Sequence, residues 1–157
     1  MSSPLTQDEV TAFAGKNADY YWTRWTPLIQ GQDWSGFNWA AFFLSGLWLA
    51  YRKMYGIALI FYAVALLGVL ADQMRDERTE RLQSWVPWLI AALCGGCGNR
   101  WYWSHATRLI DQLRAQQAGQ GISNSLLAKH GGTSILSAIA FFGLFMALAW
   151  LIILRIH

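Results

Sequence analysis

Charge is what this sequence has least of. Only 13% of its 157 residues are Asp, Glu, Lys or Arg, against about 25% in ordinary soluble domains. The net balance of +3 is too small and too scattered for a nucleic-acid-binding surface. Histidine is scarce too. His105, His130 and His157 lie far apart in sequence, and none has a second ligand at metal-binding spacing. There are two cysteines, Cys94 and Cys97, in "CGGC". The pair has the spacing of a redox dithiol, but no second pair is present to pass electrons on. The apolar segments hold no carboxylate, and the chain has no phosphate-binding loop and no Ser-His-Asp order. A catalytic reading needs a nucleophile or an acid–base pair in mutual reach, so no catalytic residue, metal or cofactor is expected. The start, "MSSPLTQDEV", lacks the basic region and apolar core of a secretory signal, and neither end carries a lipidation motif. Insertion into a membrane is therefore expected to use internal segments.

Those segments are what the chain has in abundance. Hydrophobic residues make up 55% of it, and 10 tryptophans and 6 tyrosines suit a half-wet membrane boundary, where an apolar ring with one donor is at home. Four apolar segments stand out, at 37–50, 57–71, 85–98 and 133–154. A spanning helix needs about 20 mostly apolar residues, and only the last segment, with 22, meets this comfortably. The second and third reach across if flanking aromatics extend them into the headgroups. The expected fold is an all-α membrane protein of three to four short transmembrane or re-entrant helices (37–157), preceded by an amphipathic, aromatic-rich helical region (1–36).

Within that first region Thr6 and Glu9 are spaced as a capping box, predicting a helix start. "NADYYWTRWTPLI" predicts a second helix, interfacial or packed as a cap. The charged "DQMRDERTERLQ" (72–83) has acid and base at helical spacings and predicts a short helical turn. "NRWYWSHATRLIDQLRAQQ" keeps an apolar stripe, Trp101, Tyr102, His105, Leu109 and Leu113, so the third apolar helix is expected to continue as an amphipathic extension until "AGQGISN" breaks it.

Positive charge chooses between topologies, because Lys and Arg in short loops favour the cytoplasm. If all four segments cross, 6 of 12 basic residues fall on each side. If segment 37–50 does not cross, Lys16, Arg24, Arg52, Lys53, Arg100, Arg108, Arg114 and Lys129 lie inside, and only Arg75, Arg78, Arg81 and Arg155 outside. The count prefers three crossings with a cytoplasmic N-terminus, and makes 37–50 an in-plane or re-entrant helix.

"FNWAAFF", "LWLAYRKMY" and "GNRWYWSHA", in that order, with "GKNADYY" upstream, resemble a family of small bacterial inner-membrane proteins of unknown function, over roughly residues 14–113. The resemblance implies a multi-pass inner-membrane protein and supplies no activity.

Three groups of residues are candidate sites. Read as one helix, the first segment puts Asn38, Ala41, Ser45, Trp48 and Arg52 on one face. Asn38 should then turn toward other helices or headgroups, because a bare amide is costly in a low dielectric. Arg52 and Lys53, framed by Tyr51 and Tyr55, are either ordinary basic anchors or a site for anionic headgroups or an acidic partner. Asn99, Tyr102 and His105, with Arg100 and Arg108 nearby, share one side of the third helix, as packing groups or as a polar site with the first group. Ala91, Ala92, Cys94, Gly95, Gly96 and Gly98 on the third helix, and Gly143 and Ala147 on the fourth, form small-xxx-small pairs that suit close helix approach. The expected function is non-enzymatic: binding of a protein partner, whether a membrane complex, a toxin that the chain neutralises, or a second copy. The alternative is a lipid- or small-ligand-binding protein with a transport or enzymatic role.

Overall fold

The computed structural model describes residues 4–73, 85–117 and 121–156. Among these every element is helical. The chain forms α1 (Gln7–Ala14), a short 3-10 turn, α2 (Ala18–Ile29), α3 (Trp39–Leu44), α4 (Gly46–Tyr51), α5 (Tyr55–Gln73), α6 (Val86–Gln116), α7 (Asn124–His130) and α8 (Ile135–Ile156). The helical turn expected in 72–83 falls mostly outside the described residues. Contacts divide the chain into two compact units: Met1–Asn38 with Gly96–Thr133, and Trp39–Gly95 with Ser134–His157. The division falls within α6.

The first unit begins with the expected cap. Thr6 Oγ1 accepts from the Glu9 N–H, while the Glu9 carboxylate accepts from the Thr6 N–H at 2.9 Å. This satisfies donors that a helix start leaves open. Glu9 also meets Arg114 of α6, whose Nη2 donates to both carboxylate oxygens at 2.8 and 2.7 Å. At the other end of α1 the Phe13 carbonyl accepts from the Gly132 N–H at 2.7 Å. Gly131 is required here, since a Cβ on it would lie 2.3 Å from that carbonyl and 2.8 Å from the Phe13 ring. The core is aromatic: Phe13, Tyr21, Trp25 and Tyr102 are all buried, with ring centroids 4.8–6.0 Å apart, the range in which edge and tilted contacts are favourable.

The second unit is built on α4, α5 and α8. The first apolar segment does not form the single helix its composition suggests. It breaks at Ser45, whose φ of 41° and ψ of −111° lie where L-residues are strained. Even so Ala41, Trp48 and Arg52 are buried, so the expected inward face persists across the break. Gly46 follows the break, and a Cβ there would sit 2.5 Å from the Phe61 ring. α4 ends in a Schellman motif: Met54 N–H donates to Leu49 C=O and Lys53 N–H to Ala50 C=O, both at 3.0 Å, with Lys53 at φ 59° in the position usually held by glycine. α5 starts at once and packs on α8. Tyr55 stacks on Phe141 at 5.8 Å, and Tyr62 meets Phe141 and Phe145 at 5.9 and 5.4 Å. Contacts that advance together along both helices make α5 and α8 parallel neighbours.

Two stretches, Tyr55–Asp72 and Asn124–Arg155, are long and apolar enough to cross a membrane by length and composition. Only 11% of the apolar window of each is buried, unlike the core helix of a soluble domain. The number of crossings expected from sequence, three or four, exceeds these two. α6 is a single helix of 31 residues, as the stripe running on from the third apolar segment predicts.

Candidate functional site

In the first unit the polar centre is Asn99. It is wholly buried on α6, and Asn38, at the end of the loop after α2, is 2% exposed. Asn38 Nδ2 donates to Asn99 Oδ1 at 2.9 Å. Asn99 Nδ2 donates to the carbonyls of Ser35 and Gly36 at 3.2 and 3.1 Å. The Asn99 carbonyl, inside α6, accepts a further bond from Trp25 Nε1 at 3.2 Å. One carboxamide thus fixes the 35–38 loop on α6 while α2 is tied to the same turn. Gly36 makes this possible. Its φ is +76°, and a Cβ would run into the Arg24 guanidinium, which itself lies over the Tyr20 ring at 5.4 Å. Ser35, Gly36, Tyr20 and Trp25 were not among the candidate site residues, Tyr20 and Trp25 being read only as aromatics of the second predicted helix. The loop's contribution is two backbone carbonyls, which leave no mark in a sequence.

Tyr102 is buried in the aromatic core, next to Asn99 on the same face of α6. Arg100 points outward to Asp33, 3.6 Å away, both being exposed. His105 is half-buried, and its Nε2 has no hydrogen-bond partner among the described residues. Burial, and then the neighbouring Arg108 charge, push the His105 imidazole below the usual histidine range, which favours the neutral ring.

In the second unit the residues Tyr51 to Tyr55 form a corner. The Tyr51 carbonyl, at the end of α4, accepts from the Ser134 N–H at 2.8 Å. Ser134 Oγ caps α8 by accepting from the Ser137 N–H at 3.2 Å, and the Ser137 hydroxyl pairs with Tyr55 at 2.8 Å. Arg52 is only 4% exposed, with its guanidinium 5.6 Å from the Tyr51 ring centre, and Lys53 is half-buried. The sequence signal for Ser134 and Ser137 was their position at the start of the fourth apolar run.

The small residues divide. Cys94, Gly95 and Gly98 are buried, Ala91 and Gly96 partly so, and Ala92 is exposed. Gly143 and Ala147 are exposed, and a Cβ on Gly96 or Gly143 would meet nothing within 4 Å. Cys94 and Cys97 are not joined in a disulfide. Among the described residues no group of three or more His, Cys, Asp or Glu could hold a metal ion.

Chemically, both clusters hold backbone together: amide to carbonyl in the first unit, hydroxyl to helix end in the second. Neither the curated proteins nor the solved structures show a significant match to this chain. Residues 11–108 match the family model described as Protein of unknown function (DUF2628), and the chain belongs to that family.

Proposed function

We propose that the chain is a multi-pass protein of the bacterial inner membrane that catalyses no reaction and acts by binding a protein partner: a membrane complex, a toxin it neutralises, or a second copy of itself. One observation carries the reading. The candidate polar residues Asn38 and Asn99, with Tyr55 and Ser137, are bonded to one another or to backbone, while the apolar faces of α5 and α8 are left outward.

The parallel packing of α5 and α8 supports a return crossing between them. Parallel neighbours must be joined by a chain that returns across the layer. The apolar start of α6 (segment 85–98) is the return. The count of basic residues adds that segment 37–50 does not cross, so that the eight basic residues from Lys16 to Lys129 lie with the N-terminus on the cytoplasmic side and the C-terminus lies outside. Labelling of an Arg78→Cys variant from each side of intact cells tests this, and exclusively cytoplasmic labelling sinks it. For the partner, the full chain is purified in mild detergent and the intact assembly is weighed. A co-purifying protein or a second copy is expected; a monomer with one retained small molecule overturns the reading.

A second reading has its own observation. Lys53 is held in a left-handed backbone position that glycine would occupy at less cost. A basic residue kept there, beside Arg52 and between Tyr51 and Tyr55, suits an anionic lipid headgroup at the membrane boundary.

A further inference from the structure

We infer that α3 and α4 enter the membrane from one side and stop inside it, with the Trp39, Phe43 and Leu44 face of α3 set among the acyl chains of a single leaflet. The inference rests on the membrane reading above and goes beyond it in naming the surface and what covers it.

Depth comes from Gly46. Its backbone lies against the rings of Phe61 and Tyr62, while the other end of α4 lies at the Tyr51–Tyr55 corner where α5 begins. Phe61 is six residues along α5, about 9 Å at a rise of about 1.5 Å per residue. α4 therefore accompanies only the first third of α5, whose 19 residues span about 28 Å. α3 and α4 have 6 residues each. Laid end to end they reach about 20 Å, short of the roughly 30 Å hydrocarbon layer.

A helix break at that depth is helped where its backbone groups find partners, since lipid offers none, and those of Ser45 do. Ser45 N–H donates to Ala41 C=O at 2.8 Å, Leu49 N–H to Ser45 C=O at 3.1 Å, and the Ser45 hydroxyl to Phe42 C=O at 3.2 Å.

The outward face fits acyl chains and not water. Trp39 is 64% exposed, Phe43 73% and Leu44 49%, while Ala41 on the opposite side is wholly buried. Trp39 stacks on Phe43 at 6.1 Å, with Phe42 edge-on to Phe43 at 5.0 Å, making one continuous aromatic surface. No charge occurs between Asp33 and Arg52, so nothing along this stretch requires solvent. The face continues the outward apolar surface of α5, where Leu59 and Ile60 are also exposed.

The test uses the full chain in vesicles of phosphatidylethanolamine and phosphatidylglycerol, with Cys94 and Cys97 replaced by alanine. A nitroxide is attached to Phe43→Cys, Leu59→Cys, Leu144→Cys or Asp33→Cys. Collisions with oxygen, which dissolves in lipid, are compared with those of a water-soluble nickel chelate. The expected oxygen-over-nickel ratio at position 43 is severalfold above that at 33 and close to that at 59. A position 43 that reads like 33, or that is shielded from both reagents, overturns the inference while lipid-like values at 59 and 144 leave the membrane reading standing. Water-like values at 59 and 144 overturn both. Where loss of the thiols lowers the yield, a photoreactive phenylalanine at position 43 of the otherwise unaltered chain gives the same answer. A phospholipid adduct is expected, and an adduct to protein alone overturns the inference.

Discussion

Asn38 and Asn99, 61 positions apart in sequence, share a 2.9 Å hydrogen bond from which water is shut out. Replacing Asn99 removes at once the acceptor of the Asn38 side-chain N–H and the donor to the carbonyls of Ser35 and Gly36, and each buried group orphaned costs about 1–3 kcal/mol. Asn99→Ala is therefore expected to lose about 2–4 kcal/mol of unfolding free energy. Asn99→Asp should lose more, because it turns a carboxylate oxygen toward two carbonyls. Thermal unfolding in detergent checks both. A change within experimental error for either variant would show that the pair is not what fixes the 35–38 loop.

The Lys53 backbone separates strain from function. A non-glycine residue in the left-handed region is strained by about 1–2 kcal/mol, so Lys53→Gly should raise the unfolding midpoint, and Lys53→Ala should not. If Lys53 also holds anionic headgroups, Lys53→Gly gains stability yet loses binding to phosphatidylglycerol vesicles. Unchanged binding with raised stability would leave the lysine as a boundary anchor alone. The same comparison applies at Ser45, where Ser45→Gly is expected to stabilise.

These residues also show what could be read in the chain beforehand. Local patterns were legible. Thr6 and Glu9 announce the start of α1, the apolar stripe through Trp101 and Leu113 announces a long α6, and Asn38 and Asn99 stand out as amides beside apolar runs. A shared polar site was one of two readings for them, but the direct bond between the two amides was not legible, because a contact across 61 residues leaves no local periodicity, and the carbonyls of Ser35 and Gly36 that complete the network leave no mark in a sequence. The break at Ser45 was hidden for a different reason. Serine in an apolar run reads as a tolerated polar residue, and the close fit of Gly46 against Phe61 beside the break is a contact that no local pattern announces. Sequence grouped Arg52 and Lys53 as equals, whereas the Schellman turn encloses the first and strains the second.

His105 should make stability depend on pH. Its imidazole titrates below the usual 6.5 in the folded chain, so in the window between that lowered value and about 6.5 the unfolded chain binds more protons. The stability from keeping the ring neutral is fully present above about 6.5 and is lost as pH falls through the folded-state value. His105→Gln is expected to flatten the stability profile just below about pH 6.5. An unaltered slope in the variant would assign the dependence to another group.

Glycine substitutions separate contacts within the chain from contacts with a partner. Gly131→Ala drives a methyl group into the Phe13 carbonyl, and overpacking of this kind costs about 1–3 kcal/mol. Gly143→Ala meets open space and, in a helix interior, should stabilise the isolated chain by up to about 1 kcal/mol. On α8, however, Gly143 and Ala147 are spaced for close helix approach, and neither is covered in the single chain. If a second copy or a partner helix packs there, Gly143→Ala keeps the folded chain intact while lowering the fraction assembled, read as the ratio of assembled to single chains in the intact-mass spectrum. Gly143→Leu should lower it further, since the larger side chain holds the helices apart. An assembly indifferent to both substitutions would assign the α8 face to lipid, and the partner would have to engage another surface.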